Sequence, residues 1–147
     1  MNYPKLPPTV DSLVQILQKL RAPDGCPWDR EQTQETLARC MTEELAEYLD
    51  ALYSQNPAAM CDELGDLLMN VVFQAVVAEE QGMFTLQDTL KNLNDKLIRR
   101  HAHIFGDEHA ENAAEVLNLW EKIKAQEKDH QERKSLMDGI PAELSSL

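Results

Sequence analysis

Residues 43–66 read EELAEYLDALYSQNPAAMCDELGD, and this stretch decides the fold. Two apolar-striped segments carry acids and are separated by Asn56-Pro57, an N-cap followed by a proline at the first helical position. Such a junction predicts two helices joined by a short loop and therefore packed antiparallel. Residues three or four apart share a helix face, so Glu44 and Glu47 are neighbours on the first helix, as are Glu63 and Asp66 on the second. A step of about 100° per residue puts Glu44 inside the stripe of Leu37, Met41, Leu45, Tyr48 and Leu52. Glu47 falls at its edge and Glu43 further round. An ionised carboxylate on an apolar stripe is unfavourable unless it is paired or metal-bound. Glu44 and Glu47 facing Glu63 and Asp66 would make the hard, all-oxygen set that Mg²⁺ or Mn²⁺ prefers. The plainer alternative is a solvated acidic face, which is what an isolated EExxE usually is.

On the N-terminal side, a proline-rich arm over residues 1–10 leads to Asp11 as the expected N-cap, and Leu13, Ile16, Leu17 and Leu20 recur at helical spacing. The helix should end near Arg21, because residues 22–27 hold two prolines and a glycine. Cys26-Pro27-Trp28-Asp29 then reads as a constrained turn, with capping-box spacing from Asp29 to Gln32. The second helix is expected from about Gln32 to Ser54 and the third from Pro57 to Glu80. The third carries an apolar set so broad, from Leu64 to Val76, that it calls for neighbours on several sides, a partner subunit among them. Gly82 suits the C′ position, and Thr85 to Asp88 repeats the capping spacing before a fourth helix ending near Arg100. Residues 104–111 read as loop, and a fifth helix spans Ala113 to Arg133. No strand-like alternation is present. The expectation is an all-α fold of about five helices, an antiparallel bundle completed by dimerisation, with one catalytic domain over residues 11–134 and an irregular tail over 135–147.

Composition narrows the partners. A chain of 147 residues with 43% hydrophobic content suits a single domain with a real core. Fourteen Lys and Arg against 26 Asp and Glu give a formal charge of -12, which repels nucleic-acid backbone and anionic membrane. A polymeric nucleic acid is therefore excluded as the expected partner. A small anion is not, since a cation held by acids reverses the local sign of the field. Cys26, Cys40 and Cys61 are an odd set without CxxC spacing, which fits a reducing cytoplasm. The opening residues lack a signal-peptide core, and no apolar run is long enough for a membrane segment.

The fourth helix ends in Lys96, Arg99 and Arg100, followed by His101 and His103. Such charges can simply complement the helix dipole. They also supply what a phosphate chain needs beside a metal: a planar fork from Arg and a point charge from Lys. Trp28 and Trp120 read either as core or interface residues or as base-stacking platforms.

Taken in order, Cys26-Pro27-Trp28-Asp29 with Gln32-Thr33, then Glu43-Glu44-x-x-Glu47, Glu63-Leu64-Gly65-Asp66, Lys96-Leu97-Ile98-Arg99-Arg100-His101-x-His103-x-Phe105-Gly106 and Trp120-Glu121-x-Ile123-Lys124 resemble the MazG-type nucleoside triphosphate pyrophosphohydrolases. The match runs in register from about Leu13 to Glu127, and Gly139-Ile140-Pro141 looks like the segment that follows this domain in longer two-domain members. The resemblance implies an all-α dimer that binds Mg²⁺ through Glu44, Glu47, Glu63 and Asp66. The implied reaction is hydrolysis of a nucleoside triphosphate, with a common or damaged base, to monophosphate and pyrophosphate, in the upkeep of nucleotide pools. It places Lys96 and Arg99 on phosphates, with Arg100, Trp120, Glu121 and Lys124 as possible contributors; Trp28 is expected beside them as a substrate contact. Either Glu47 or Glu43 would take the proton from the attacking water. One departure is Ala102, where the family usually has proline between the two histidines. Two other readings compete. A di-iron carboxylate bundle needs two Glu-x-x-His motifs, and only Glu127-x-x-His130 has that spacing. A catalytically silent dimerisation or regulatory module would keep the scaffold without turnover.

Overall fold

A computed structural model of the chain describes residues 4–127. Seven helices and no strand occur among them: α1 Val10–Arg21, α2 Pro27–Glu31, α3 Gln34–Tyr53, α4 Pro57–Glu80, α5 Leu86–Arg100, α6 Ala102–Phe105 and α7 Ala113–Gln126. Five of these are the expected helices; α2 and α6 are the additions, five and four residues long. The chain divides into two compact units between Leu90 and Lys91. No described helix is long and apolar enough to cross a membrane.

The first unit is built on the α3–α4 hairpin. Thr33 caps α3 in a reciprocal box with Thr36, each side chain bonding the other's backbone N–H. This box replaces the expected pairing of Asp29 with Gln32. Gln32 instead donates from Nε2 to the Trp28 carbonyl at 2.9 Å and accepts the Thr36 hydroxyl at 2.9 Å, tying α2 to the start of α3. At its other end α3 closes in a Schellman turn. Asn56 N–H reaches Ala51 O, Gln55 N–H reaches Leu52 O, and Gln55 takes the left-handed φ of 52° that this motif demands. Asn56 then caps α4 through the Ala59 N–H, with Pro57 at N1. The register is antiparallel: Gln74, late in α4, donates to the carbonyl of Gln34 at the start of α3.

The core gathers Leu17 from α1, Leu37 from α3 and Val72, Phe73, Val76 and Val77 from α4, flanked by Leu13, Val14, Leu20, Met69 and Leu86. Burial on α4 is confined to its second half, beginning at Asn70, while Leu64, Leu68 and Val71 remain exposed. α1 starts one residue before the expected Asp11 cap. Thr9 accepts the Ser12 N–H and is the cap, leaving Asp11 in the first turn where its charge suits the dipole. Beyond α1 the turn closes so tightly that a Cβ on Gly25 would lie 2.2 Å from the Leu20 carbonyl oxygen.

Arg21 staples this turn. Its Nε and Nη2 grip Glu80 at 2.6–2.9 Å, Nη1 reaches the carbonyls of Asp29 and Gln32 at 2.7 and 3.1 Å, and its guanidinium lies 5.7 Å from the Phe73 ring centroid. One side chain thus joins α1, α2 and the end of α4. Arg21→Met keeps the apolar stem but strands Glu80 and two carbonyls. It should lower stability by about 2 kcal/mol in a denaturant melt. An unchanged midpoint would show that the staple contributes nothing.

α4 ends in a second Schellman turn with Gly82 at φ 69°, as expected. The capping pair Thr85–Asp88 also forms, with Asp88 accepting the Thr85 N–H and Thr85 Oγ1 the Asp88 N–H. In the second unit, α6 occupies part of the stretch expected as loop. Ala102 sits at its N1 position, the one helical site at which proline and alanine are both at ease, so the departure from proline leaves the turn intact. α7 stops at Gln126, with Glu127 as an extended C-cap, short of the expected Arg133. Residues 128–133, over which the helix was expected to continue, and the expected tail over 135–147 lie outside the described residues.

Candidate metal centre

Antiparallel packing brings the middle of α3 to the first half of α4. One carboxylate oxygen each from Glu44, Glu63 and Asp66 lies within 4.8 Å of the others. Each of the three is half-buried, on the exposed-to-core margin of the hairpin. Burial pushes the Glu44 carboxyl above the ordinary carboxylate range, and the charges of Asp66, Glu47, Glu63 and Glu43 add to the shift in that order. Burial also raises Glu63, helped by the charges of Glu47, Asp62 and Asp66 in that order. Glu47 therefore belongs to the electrostatic cluster through Glu63, although it stands outside the tight triad. Glu43 is exposed and acts on Glu44 only weakly.

Like charges held this close disfavour their own ionised forms, and proteins gather them where a cation or a shared proton is used. Only oxygen donors are offered, which suits Mg²⁺ or Mn²⁺ over a softer ion. The donor set of Glu44, Glu63 and Asp66 fits such a metal, and Glu47 is an exposed acid outside it. Asn70, 2% exposed one turn beyond Asp66, donates to the Asp66 carbonyl at 3.0 Å and ties down the backbone that carries this carboxylate. No pattern in the sequence marks Asn70 for this task.

The second unit holds most of the expected substrate contacts. Arg100 stacks on Trp120 with its Cζ 5.5 Å from the ring centroid, and His101 meets the same ring edge-on at 5.0 Å. Arg99 and Arg100 both converge on Glu127, at 2.9 and 2.6 Å. Glu121 and Lys124 pair weakly with each other at 3.4 Å. Lys96 has no ion pair among the described residues. Trp28, in the first unit, is 60% exposed on α2 and available to a ligand rather than packed in the core. His103 Nδ1 is buried without a hydrogen-bond partner among the described residues, and its ring lies 5.8 Å from that of His101. Sequence reading missed Glu127 as the partner of the two arginines. It had noted this acid only for its spacing to His130, which lies outside the described residues.

Comparison with known proteins matches residues 32–105 to the MazG nucleotide pyrophosphohydrolase domain. The chain is 46% identical over 139 residues to a nucleoside triphosphate pyrophosphohydrolase of Escherichia coli strain K12, covering 94% of this chain and 53% of that protein. It is 48% identical over 118 residues to a nucleoside triphosphate pyrophosphohydrolase/pyrophosphatase of Thermotoga maritima, covering 80% and 45%. The chain thus spans about half the length of these curated relatives. The crystal structure of a mazG-related protein from Thermotoga maritima shares the fold, with a TM-score of 0.67 over 78% of this chain and 97% of that one at 24% identity.

Proposed function

The chain belongs to the MazG nucleotide pyrophosphohydrolase family, and from that premise we propose that it hydrolyses nucleoside triphosphates to monophosphate and pyrophosphate. The observation that carries the reading is the meeting of Glu44, Glu63 and Asp66 across the hairpin. Glu44, Glu47, Glu63 and Asp66 would hold Mg²⁺, with Mn²⁺ as a substitute. When bound, the metal neutralises phosphate oxygens and makes a water more acidic.

The chain's own residues do the rest. Lys96, Arg99 and Arg100 hold the phosphates, the two arginines by planar forks. Trp120, Glu121, Lys124 and Trp28 are the further substrate contacts, and the aromatic faces suit a base. Glu47 is favoured over Glu43 for taking the water proton, because its charge acts on both Glu44 and Glu63, whereas Glu43 acts on Glu44 alone and as the last of its causes. Upkeep of nucleotide pools in the cytoplasm, by removal of common or damaged triphosphates, is the proposed role. Exposed Leu64, Leu68 and Val71 recur at helical spacing on α4, as do Leu49, Leu52 and Tyr53 on α3, and apolar stripes of this kind suit a second copy of the chain.

The test is pyrophosphate release from a panel of common and damaged nucleoside triphosphates, with Mg²⁺ and after chelation. Turnover should require the metal. Its absence for every nucleotide would leave a catalytically silent dimerisation or regulatory module.

A further inference from the structure

Glu127 is an acid outside the candidate metal set, held instead by two arginines. It is the C-cap of α7, with an extended backbone at φ −74° and ψ 129°, and its side chain is 15% exposed. Oε1 accepts from Nε of Arg99 at 3.0 Å, from Nη2 of Arg99 at 2.9 Å and from Nε of Arg100 at 3.2 Å, while Oε2 accepts from Nη2 of Arg100 at 2.6 Å. Each arginine therefore offers Glu127 its Nε–Nη2 edge, the planar fork that fits two carboxylate oxygens or two phosphate oxygens equally well. The hydrogen bond from Arg100 first, and that from Arg99 next, hold the Glu127 carboxyl down to about 2, so it is an anion at any physiological pH. Two cations and one anion leave a net charge of +1 where the arginines alone would give +2.

We propose that Glu127 is an internal anion that fills the forks of Arg99 and Arg100, so that a ligand must displace it and only a polyanion does so readily. This rests on the reading of Arg99 and Arg100 as phosphate contacts. A carboxylate carries one negative charge, and a triphosphate several, so the exchange favours the triphosphate and disfavours orthophosphate. The geometry allows it. Arg100 stays in place on the Trp120 ring, and Glu127 lies one residue past the last turn of α7, where its side chain can swing out without unwinding the helix. Arg99 is 51% exposed, so a ligand that displaces Glu127 reaches its fork from solvent. Glu127 would thus set the discrimination of this cluster between polyphosphate and single phosphate.

Glu127→Gln keeps the side-chain shape and removes the charge. Calorimetric binding of a non-hydrolysable α,β-methylene nucleoside triphosphate with Mg²⁺ should be about tenfold tighter in this variant, equivalent to about 1.4 kcal/mol. Orthophosphate should compete with the analogue in the variant at concentrations that leave the wild type unaffected. Damage to the fold weakens binding, so a gain in affinity separates competition from a merely structural role. Glu127→Asp, which keeps the charge, should bind as the wild type does. Unchanged or weaker analogue binding in Glu127→Gln overturns the proposal while leaving the arginine assignment standing. Replacing Arg99 and Arg100 together by Gln should weaken the analogue in the wild-type background and abolish the gain from Glu127→Gln. If that double replacement leaves binding unchanged, the arginine reading itself fails and the proposal with it.

Discussion

Glu44→Gln is expected to lower turnover on the order of 10³-fold, since metal-assisted charge neutralisation contributes several kcal/mol to a phosphoryl-transfer transition state. The same variant should melt at a higher temperature than the wild type when both are metal-free at neutral pH. The two effects have one origin. Glu44 sits among Asp66, Glu47 and Glu63 and titrates above its ordinary 4.5 in the folded chain. A carboxyl with a raised folded-state value contributes stability that is fully present below pH 4.5 and is lost as pH rises through that raised value. Gln holds the uncharged form at every pH and so removes the loss. Wild-type protein without metal should accordingly gain stability on acidification from neutral pH toward 4.5, and the Gln variant should gain less. Added Mg²⁺ should raise the melting temperature of the wild type and leave Glu44→Gln nearly unmoved. Retained turnover, or equal Mg²⁺ stabilisation in the two proteins, would remove Glu44 from the metal set.

Leu17→Ala is the largest expected effect on folding. Leu17 is 1% exposed at the centre of the cluster that joins α1 to Leu37 and to Val72, Phe73, Val76 and Val77. Truncation removes the apolar contacts and leaves a cavity that flanking helices close only in part, at a cost of about 3 kcal/mol. That is a large share of the 5–15 kcal/mol or so that holds a typical domain. Equilibrium unfolding in urea should show the loss with an unchanged slope. A shift of less than about 1 kcal/mol would mean that the site collapses freely and that α1 is not a member of the core.

The α3–α4 hairpin was legible because its signals are local. Asn56-Pro57 marks a helix start, the apolar stripe has helical period, and Glu44 interrupts that stripe where no isolated acid belongs. From the stripe and the short connection alone, the facing of Glu44 with Glu63 and Asp66 follows. Helices α2 and α6 escaped notice because five and four residues are too few to show a period. The cap at Thr33 was hidden because Thr36 fills the place where Glu or Gln gives the usual signal. Arg21 with Glu80, and Glu127 with the two arginines, are 59 and 27–28 residues apart in sequence and leave no pattern along the chain. Such pairs appear only once the helices are packed. The basic end of α5 was therefore recognised as a set of donors, while the acid already held in its forks was not.

The proposed reaction of this all-α chain splits nucleoside triphosphates between the α and β phosphorus atoms. A ³¹P spectrum of a nucleoside triphosphate incubated with the protein and Mg²⁺ tests it most directly. The expected spectrum shows nucleoside monophosphate and pyrophosphate growing in together, with neither appearing when Mg²⁺ is chelated. Nucleoside diphosphate with orthophosphate, or an unchanged triphosphate across the nucleotide panel, would contradict it.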